Sequence, residues 1–153
     1  MKVRVVAVGR DRSGLYAPAV EEYAKRLGRY LRFELVEVPE ARKLAGTAGA
    51  KGEEGATLLA KIGPRERVVV LDERGDELTS VAFAERVRRW MERGQDVALL
   101  IGGSDGLAPE VLARADERLA VSRFTLAHRL ARLVLVEQLY RAMTILRGEP
   151  YHK

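Results

Sequence analysis

The feature that most constrains the fold is Val97–Ile101, a run of five apolar residues with glycines after it. An unbroken apolar run of this length is typical of a strand buried on both faces, as at the centre of a parallel sheet. Gly102, Gly103 and Gly106 follow in a polar turn, where glycine lets the backbone take positive φ and lie against a ligand. Ligands bind at the carboxyl ends of strands in open α/β sheets, so this turn is a candidate cofactor site.

The same turn also fits a purely geometric role between a strand and a helix. Either Ser104 or Asp105 is expected to cap a helix that begins near residues 107–109. The spacing is G-G-x-x-G, which differs from the dinucleotide pattern G-x-G-x-x-G, and no lysine follows as in a phosphate-binding loop. A doubly wound nucleotide-binding domain is therefore a weak alternative.

Composition indicates one globular domain spanning residues 1–153 and makes several classes of protein improbable. The chain is 47% hydrophobic and 32% charged, and it has no cysteine and two histidines, so we expect neither disulfides nor a metal site. It has no apolar run long enough for a membrane span and no signal peptide, which predicts a cytoplasmic protein. The net charge of +5 favours a polyanionic partner without establishing one.

Hydrophobic periodicity predicts alternating strands and helices. Strands are expected over residues 2–8, 33–38, 67–71, 97–101 and 118–121. Helices are expected over residues 13–31 (capped by Ser13), 53–62, 80–93, 109–115 and 130–146. This order predicts an α/β fold with a parallel sheet and helices on both faces. Residues 39–57 are interpreted as a mobile loop in preference to a binding lid, and residues 72–75 as a turn.

Two helices carry more specific expectations. The inward face of the helix over 80–93 is predicted to hold Val81, Ala84, Val87, Trp90 and Met91, with Gly94 ending the helix. The helix over 130–146 is apolar around most of its circumference, and one sheet face covers only one side. A homodimer is therefore expected to cover the rest. The polar tail over residues 148–153 fits a disordered terminus.

Four ordered segments resemble the RlmH family of SPOUT-class methyltransferases. They cover residues 100–107, 122–128, 136–142 and 151–153, and the likeness runs through the whole chain from Val6–Gly9 onward. The resemblance implies a SPOUT fold with a C-terminal trefoil knot, whose cofactor-binding part spans about residues 67–153. It also implies a homodimer that binds S-adenosylmethionine and methylates N3 of a pseudouridine in helix 69 of 23S rRNA, on the assembled 70S ribosome.

The resemblance further implies which residues contact the cofactor. They are Leu71, Gly102, Gly103, Val121, Ser122, Arg123, Phe124, Thr125 and Leu126. Backbone groups can recognise an adenine while Leu71, Val121 and Leu126 supply apolar walls. Because the transferred methyl group sits on a positive sulfonium, the reaction needs alignment of the attacking nitrogen and no activating metal.

Loss of the proton from N3 is helped by a base or a polarising cation. His128 is the first catalytic candidate, since a free imidazole titrates near neutral pH; a structural cap is the alternative. Arg141 and His152 are further candidates, although Arg141 can instead pair with Glu137, four residues earlier. Family members usually carry proline before this histidine, whereas this sequence has Ala127, which loosens the backbone there.

RNA contacts are expected from Arg132, on the polar face of the last helix, and from Tyr151, His152 and Lys153 at the end of the chain. A tyrosine ring and a histidine suit a loop base that is splayed out of its stack. An alternative of a different class is a non-catalytic ribosome-binding or assembly factor that has kept the fold. Such a protein would bind ribosomal particles and transfer no methyl group.

Overall fold

A computed structural model describes residues 1–153 as one parallel sheet with helices on both faces. The strands are β1 (Lys2–Val8), β2 (Arg32–Val38), β3 (Arg67–Glu77), β4 (Val97–Ile101) and β5 (Glu117–Ala120). The helices are α1 (Ala17–Leu27), α2 (Ala48–Ala60), α3 (Ser80–Arg93), α4 (Pro109–Arg114) and α5 (His128–Leu146). The strand order is β2-β1-β4-β3-β5, and every neighbouring pair is parallel. The predicted α/β architecture is confirmed.

Strand alternation divides the core into two halves. Val3 and Val5 of β1 face the side covered by α1, α3 and α5, whereas Val6 and Val8 face the side covered by α2 and α4. All of β4 is buried, and its side chains contribute alternately to both halves. The prediction of a central strand buried on both faces is therefore confirmed. Residues 102–106, which we call the glycine turn, follow its carboxyl end.

Helix α5 is covered within the chain by more than the sheet, because α1 and α3 also pack against it. Leu135, Leu139 and Met143 are at most 1% exposed. The expectation that more than one surface covers this helix is confirmed. Two of these surfaces are helices of the same chain, and the homodimer expected to cover the rest of α5 stays a prediction. It begins at His128, two residues before the predicted start.

Helix α1 is shorter than predicted. It begins at Ala17 because the Asp11 carboxylate accepts the N–H groups of Tyr16 and Ala17, at 2.7 and 2.8 Å. Ser13 does not cap this helix; its hydroxyl donates to Asp11. The helix ends before Gly28.

The interpretation of residues 39–57 as a mobile loop was wrong in its second half. Helix α2 begins at Ala48, where Thr47 Oγ1 accepts the Ala50 N–H at 3.1 Å. Glycines lower helix propensity, but tertiary packing overrides propensity. At Gly55, a Cβ would lie 2.8 Å from the Cβ of Ala108 in the segment before α4. The glycine therefore allows α2 and this segment to pack closely.

Helix α3 has the predicted bounds, and Gly94 ends it with φ +62°. Ala84, Val87 and Trp90 are buried as predicted, but Val81 and Met91 are 56% and 38% exposed. Those two residues lie on the outer face, so their inward placement was wrong.

Near the glycine turn, the predicted cap was also wrong. Ala108 is the residue before α4 and makes no side-chain cap. Asp105 instead accepts the Gly46 N–H at 3.0 Å. Strand β5 begins at Glu117, one residue before the predicted start.

Strand β3 continues to Glu77, beyond the predicted end at Leu71. Leu119 of β5 is in register with both Leu71 and Asp76, so residues 72–75 leave the ladder between two points of attachment. A Cβ on Gly75 would lie 2.6 Å from the Leu119 nitrogen. Glycine is required where these two backbones pass, and we call residues 72–75 the β3 excursion.

Candidate active site

A cleft of about 870 Å³ opens at the carboxyl edge of the sheet. It is bounded by the ends of β3, β4 and β5 and by the start of α5. Most of the residues expected to contact the cofactor line this cleft. They are Leu71, Gly102, Gly103, Val121, Ser122, Phe124, Thr125 and Leu126. Three segments that are distant in the sequence thus meet around one cavity, where parallel-sheet proteins bind their ligands.

The glycine turn presents backbone to this cleft. Gly106 N–H donates to the Gly103 carbonyl at 3.1 Å, and Gly106 has φ +80°. A Cβ on Gly102 would lie 2.8 Å from the Gly106 carbonyl oxygen. The turn therefore folds back on itself at a distance that only glycine permits, and a ligand in the cleft meets main-chain groups there.

Two residues of the segment after β5, Arg123 and Phe124, are strongly exposed. The side chain of Arg123 is 88% exposed, pairs with Glu77 and does not line the cleft. Phe124 does line the cleft, yet it is 84% exposed. An exposed aromatic ring at a cleft mouth provides a flat apolar surface for a planar group.

Charged residues that the sequence analysis did not select also line the cleft. Asp72, Glu73 and Arg74 come from the β3 excursion, and Lys51 comes from α2. Asp72 lies 3.8 Å from the guanidinium of Arg118. The position of residues 72–74 after a strand of the same sheet was the available signal for them. No comparable signal marked Lys51, because residues 39–57 were interpreted as a loop.

His128 is the first residue of α5 and lines the cleft, just after the expected cofactor-binding residues 121–126. Burial lowers the pKa of its imidazole, and the positive charges of Arg129 and Arg132 lower it further, against a smaller opposing effect of Glu40. The ring is thus held in its neutral form near neutral pH, and a neutral imidazole can accept a proton.

Arg141 and His152 lie outside the lining of this cleft, in a second cluster with Glu137 and Tyr151. Arg141 donates to Glu137 Oε1 at 2.6 and 3.0 Å, so the pair that the sequence allowed as an alternative is present. Its Nη1 lies 3.2 Å from Nδ1 of His152. Because a guanidinium has no acceptor, Nδ1 must accept and the imidazole proton lies on Nε2.

The C-terminal tail belongs to this second cluster, so the expectation of a disordered terminus was wrong. The Tyr151 hydroxyl donates to Glu137 at 2.9 Å, and its ring packs edge-on against Tyr140. Burial and hydrogen bonds to Tyr23 and Glu137 raise the pKa of Tyr151, so the hydroxyl remains a donor. Lys153 is exposed.

Arg132 does not lie on a polar face of α5, as the sequence analysis expected. It is 3% exposed. Its guanidinium donates to Glu37 at 2.8 Å and to the carbonyl oxygens of Val8 and Gly9 at 3.3 and 2.9 Å. It therefore joins α5 to the ends of β1 and β2 and presents no charge at the surface.

Two further properties concern the molecule as a whole. None of the helices combines the length and the apolar composition needed to cross a bilayer. No three side chains among histidine, aspartate and glutamate converge in a way that could hold a metal ion.

The family model described as "Predicted SPOUT methyltransferase" matches residues 1–152. Ribosomal RNA large subunit methyltransferase H of Anaeromyxobacter dehalogenans (strain 2CP-1) is 99% identical over 153 residues, covering all of both chains. The protein of the same name from Limosilactobacillus reuteri (strain DSM 20016) is 43% identical over 159 aligned positions, again covering all of both chains.

Among solved structures, a probable methyltransferase from Bordetella pertussis Tohama I has a TM-score of 0.57 and 17% sequence identity. The match covers 92% of this chain and 93% of that one. A probable methylase family protein from Haemophilus influenzae Rd KW20 has a TM-score of 0.54 and 14% identity, covering 95% of this chain and 66% of the other. At these identities the likeness concerns the fold alone.

Proposed function

Because this chain belongs to the RlmH family of SPOUT methyltransferases, we propose that it methylates N3 of a pseudouridine in helix 69 of 23S rRNA. The substrate is the assembled 70S ribosome in the cytoplasm, and the methyl donor is S-adenosylmethionine. The observation that carries the proposal is the cleft, which gathers all the expected cofactor residues except Arg123. Threading of the C-terminal segment into a trefoil knot stays a prediction of the same family resemblance.

The residues of the cleft fit an adenosyl group. The cleft volume of about 870 Å³ lies within the range of roughly 300–1,000 Å³ that small-molecule sites occupy. Leu71, Val121 and Leu126 offer apolar walls for a planar ring, and the glycine turn offers main-chain donors and acceptors. When bound, S-adenosylmethionine supplies a methyl group on a positively charged sulfur. The residues of the chain hold and orient the reacting groups, which accounts for much of the rate in such transfers.

His128 is the base that we propose for the N3 proton. It lines the same cleft, and its lowered pKa keeps a ring nitrogen free to accept that proton. Arg123 is exposed and paired with Glu77, so we assign its cofactor contact to the backbone of the segment and not to its side chain.

Arg141, Tyr151 and His152 contact the RNA in this proposal, and a homodimer brings them to the reaction. Within one chain they form a cluster apart from the cleft, so a second subunit is needed to supply them. In that arrangement Arg141 provides positive charge, and Nε2–H of His152 is a donor for a carbonyl oxygen of the base. Lys153 is exposed and adds a phosphate contact. The buried Arg132 is left out of the RNA interface.

The decisive experiment is transfer of labelled methyl from S-adenosylmethionine to undermethylated 70S ribosomes, followed by nuclease digestion and mass mapping. Label on the helix 69 pseudouridine is the expected result. Cofactor binding without any transfer would overturn the proposal in favour of a non-catalytic ribosome-binding factor. Binding of NAD or ATP without S-adenosylmethionine would overturn the assignment of the cleft itself.

A further inference from the structure

A buried carboxylate lies behind the glycine turn. Glu54 of α2 is 8% exposed, and its side chain does not line the cleft. Its Oε2 accepts the Ala41 N–H at 3.0 Å, whereas its Oε1 is buried with no hydrogen-bond partner. Burying an unpaired polar atom costs free energy, so a buried oxygen of this kind requires an explanation.

The unpaired oxygen lies against Gly103. A Cβ on Gly103 would be 2.9 Å from Oε1 of Glu54 and 3.3 Å from Cγ1 of Val8. The carboxylate thus fills the space that a side chain at position 103 would need, while Gly103 itself lines the cleft. Glu54 therefore packs against Gly103 on the α2 side of the turn.

A second contact joins the same two parts of the chain. Asp105, also in the glycine turn, accepts the N–H of Gly46 at 3.0 Å. Residues 41–54 therefore contact the turn at two points, once through a hydrogen bond and once through the packing of Glu54. Lys51, one helical turn before Glu54, lines the cleft directly. The N-terminal part of α2 is thus a supporting wall of the site.

We propose that Glu54 is a positioning residue for the methyl-donor site. Its carboxylate packs against Gly103 and fixes the turn in the conformation that contacts the cofactor. It does so without touching the cofactor, because it does not line the cleft. The identity of that cofactor rests on the proposed function; the contact between Glu54 and the turn does not.

Four variants test this inference, with unreactive S-adenosylhomocysteine as the calorimetric probe. Glu54→Ala removes the support, and we expect the Kd of the probe to rise about tenfold, as for loss of one buried polar contact. Glu54→Gln keeps the size and an acceptor for Ala41, so its Kd should stay within about threefold of the unaltered protein. Glu54→Asp keeps the charge but withdraws it from Gly103, and should lie between them.

Glu53→Ala is the matched control, since Glu53 is a carboxylate of the same helix that accepts the N–H groups of Arg42 and Lys43 and does not contact the turn. With donor at saturation, kcat of Glu54→Ala should remain near that of the unaltered enzyme while KM for the donor rises. Equal weakening by Glu53→Ala, or no rescue by Glu54→Gln, would overturn the inference.

A double-mutant cycle tests the contact itself. Gly103→Ala alone should weaken probe binding, because its Cβ meets the carboxylate. In the Glu54→Ala background the same change should weaken binding less, since the obstructing oxygen is gone. Additive effects would contradict direct packing of Glu54 on Gly103.

The amide resonances of Gly103 and Gly106 in the ligand-free protein test the positioning role of Glu54 separately from the proposed methyltransferase function. They should shift in Glu54→Ala and Glu54→Asp but not in Glu53→Ala. If the unaltered protein fails to bind S-adenosylhomocysteine, the proposed function is wrong, and these resonances still decide the role of Glu54. Unchanged resonances in both Glu54 variants would overturn that role.

Discussion

The guanidinium of Arg141 lies 3.2 Å from Nδ1 of His152, eleven residues later in the chain, and so ties the C-terminal tail to α5. Arg141 also holds Glu137, which accepts the Tyr151 hydroxyl at 2.9 Å. One arginine thus organises the side chains that we assign to the RNA.

Arg141→Ala should reduce methyl transfer to 70S ribosomes by at least about tenfold, because a positive charge near the uracil ring is lost. Binding of S-adenosylhomocysteine should be unchanged, since Arg141 is outside the cleft. Arg147→Ala is the control, because this exposed arginine stacks over Tyr30 and makes no contact with Glu137. An equal loss of transfer in both variants would remove the special role of Arg141.

His128→Asn should lower kcat by about 100-fold or more, in the range seen when a general base is lost, with cofactor binding retained. In the unaltered enzyme, kcat should rise with pH, because only the neutral imidazole accepts a proton. Since the pKa of His128 is lowered, this rise should be centred below the pKa of a free histidine. If the residual activity of His128→Asn still rises with pH over the same range, the base is a different residue.

The same lowered pKa predicts a stability effect of definite sign. The folded state favours neutral His128, so the unfolded chain binds more protons between the folded and unfolded pKa values of this group. His128 therefore makes the protein less stable as pH falls from its pKa in the unfolded chain through its lower pKa in the folded protein. The pH dependence of urea unfolding in this window should flatten in His128→Asn; an unaltered slope would contradict the cause.

Gly102→Ala should weaken cofactor binding by about tenfold or more, since its Cβ would lie 2.8 Å from a backbone oxygen that cannot retreat like a side-chain end. Gly52→Ala is the matched control, because a Cβ at that position of α2 has no neighbour within 4 Å. Calorimetric titration compares the two. Near-normal binding by Gly102→Ala would mean that the turn does not contact the ligand.

Arg132→Ala should lower the free energy of unfolding by about 2 kcal/mol, because it leaves the carbonyl oxygens of Val8 and Gly9 without their buried donor. Arg129→Ala on the preceding turn should cost less than about 1 kcal/mol, because the Glu40 that it pairs with is exposed. Urea unfolding monitored by circular dichroism measures both. A large loss of RNA affinity with normal stability in Arg132→Ala would restore its predicted surface role.

Free helix 69 RNA should be a much poorer substrate than assembled ribosomes. The net charge of only +5 offers limited long-range attraction for an isolated stem-loop, so a larger ribosomal surface must contribute to binding. Initial rates of label transfer to equal concentrations of the two substrates provide the comparison. Equal rates would show that the stem-loop alone carries the determinants.

The parts of the fold that were predictable are those specified by local pattern. Val97–Ile101 and α3 emerged with their correct bounds because apolar periodicity and Gly94 mark them in the sequence itself. The segment after β5 was found through family resemblance, since it has no clear period. Its meeting with Leu71 and the glycine turn depends on the order of strands in the sheet.

What was missed depends on tertiary contacts between distant residues. Arg132 and Glu54 are charged, so pattern places them at the surface; their burial follows from Glu37 and from Gly103, which lie far away in the sequence. The extension of β3 was missed because Asp72–Gly75 has the composition of a turn. Likewise, the tail is held by Glu137 and Tyr140, which its own composition does not reveal.

The double registration of Leu119 with Leu71 and Asp76 has a consequence for how this cleft can diversify. The ladder is anchored on both sides of the β3 excursion and Gly75 is required beside β5, so only Asp72, Glu73 and Arg74 can change while the sheet keeps its pairing. Asp72, Glu73 and Arg74 line the cleft. Selectivity for the bound molecule can therefore vary at these three positions while Gly75 and the strand pairing stay fixed.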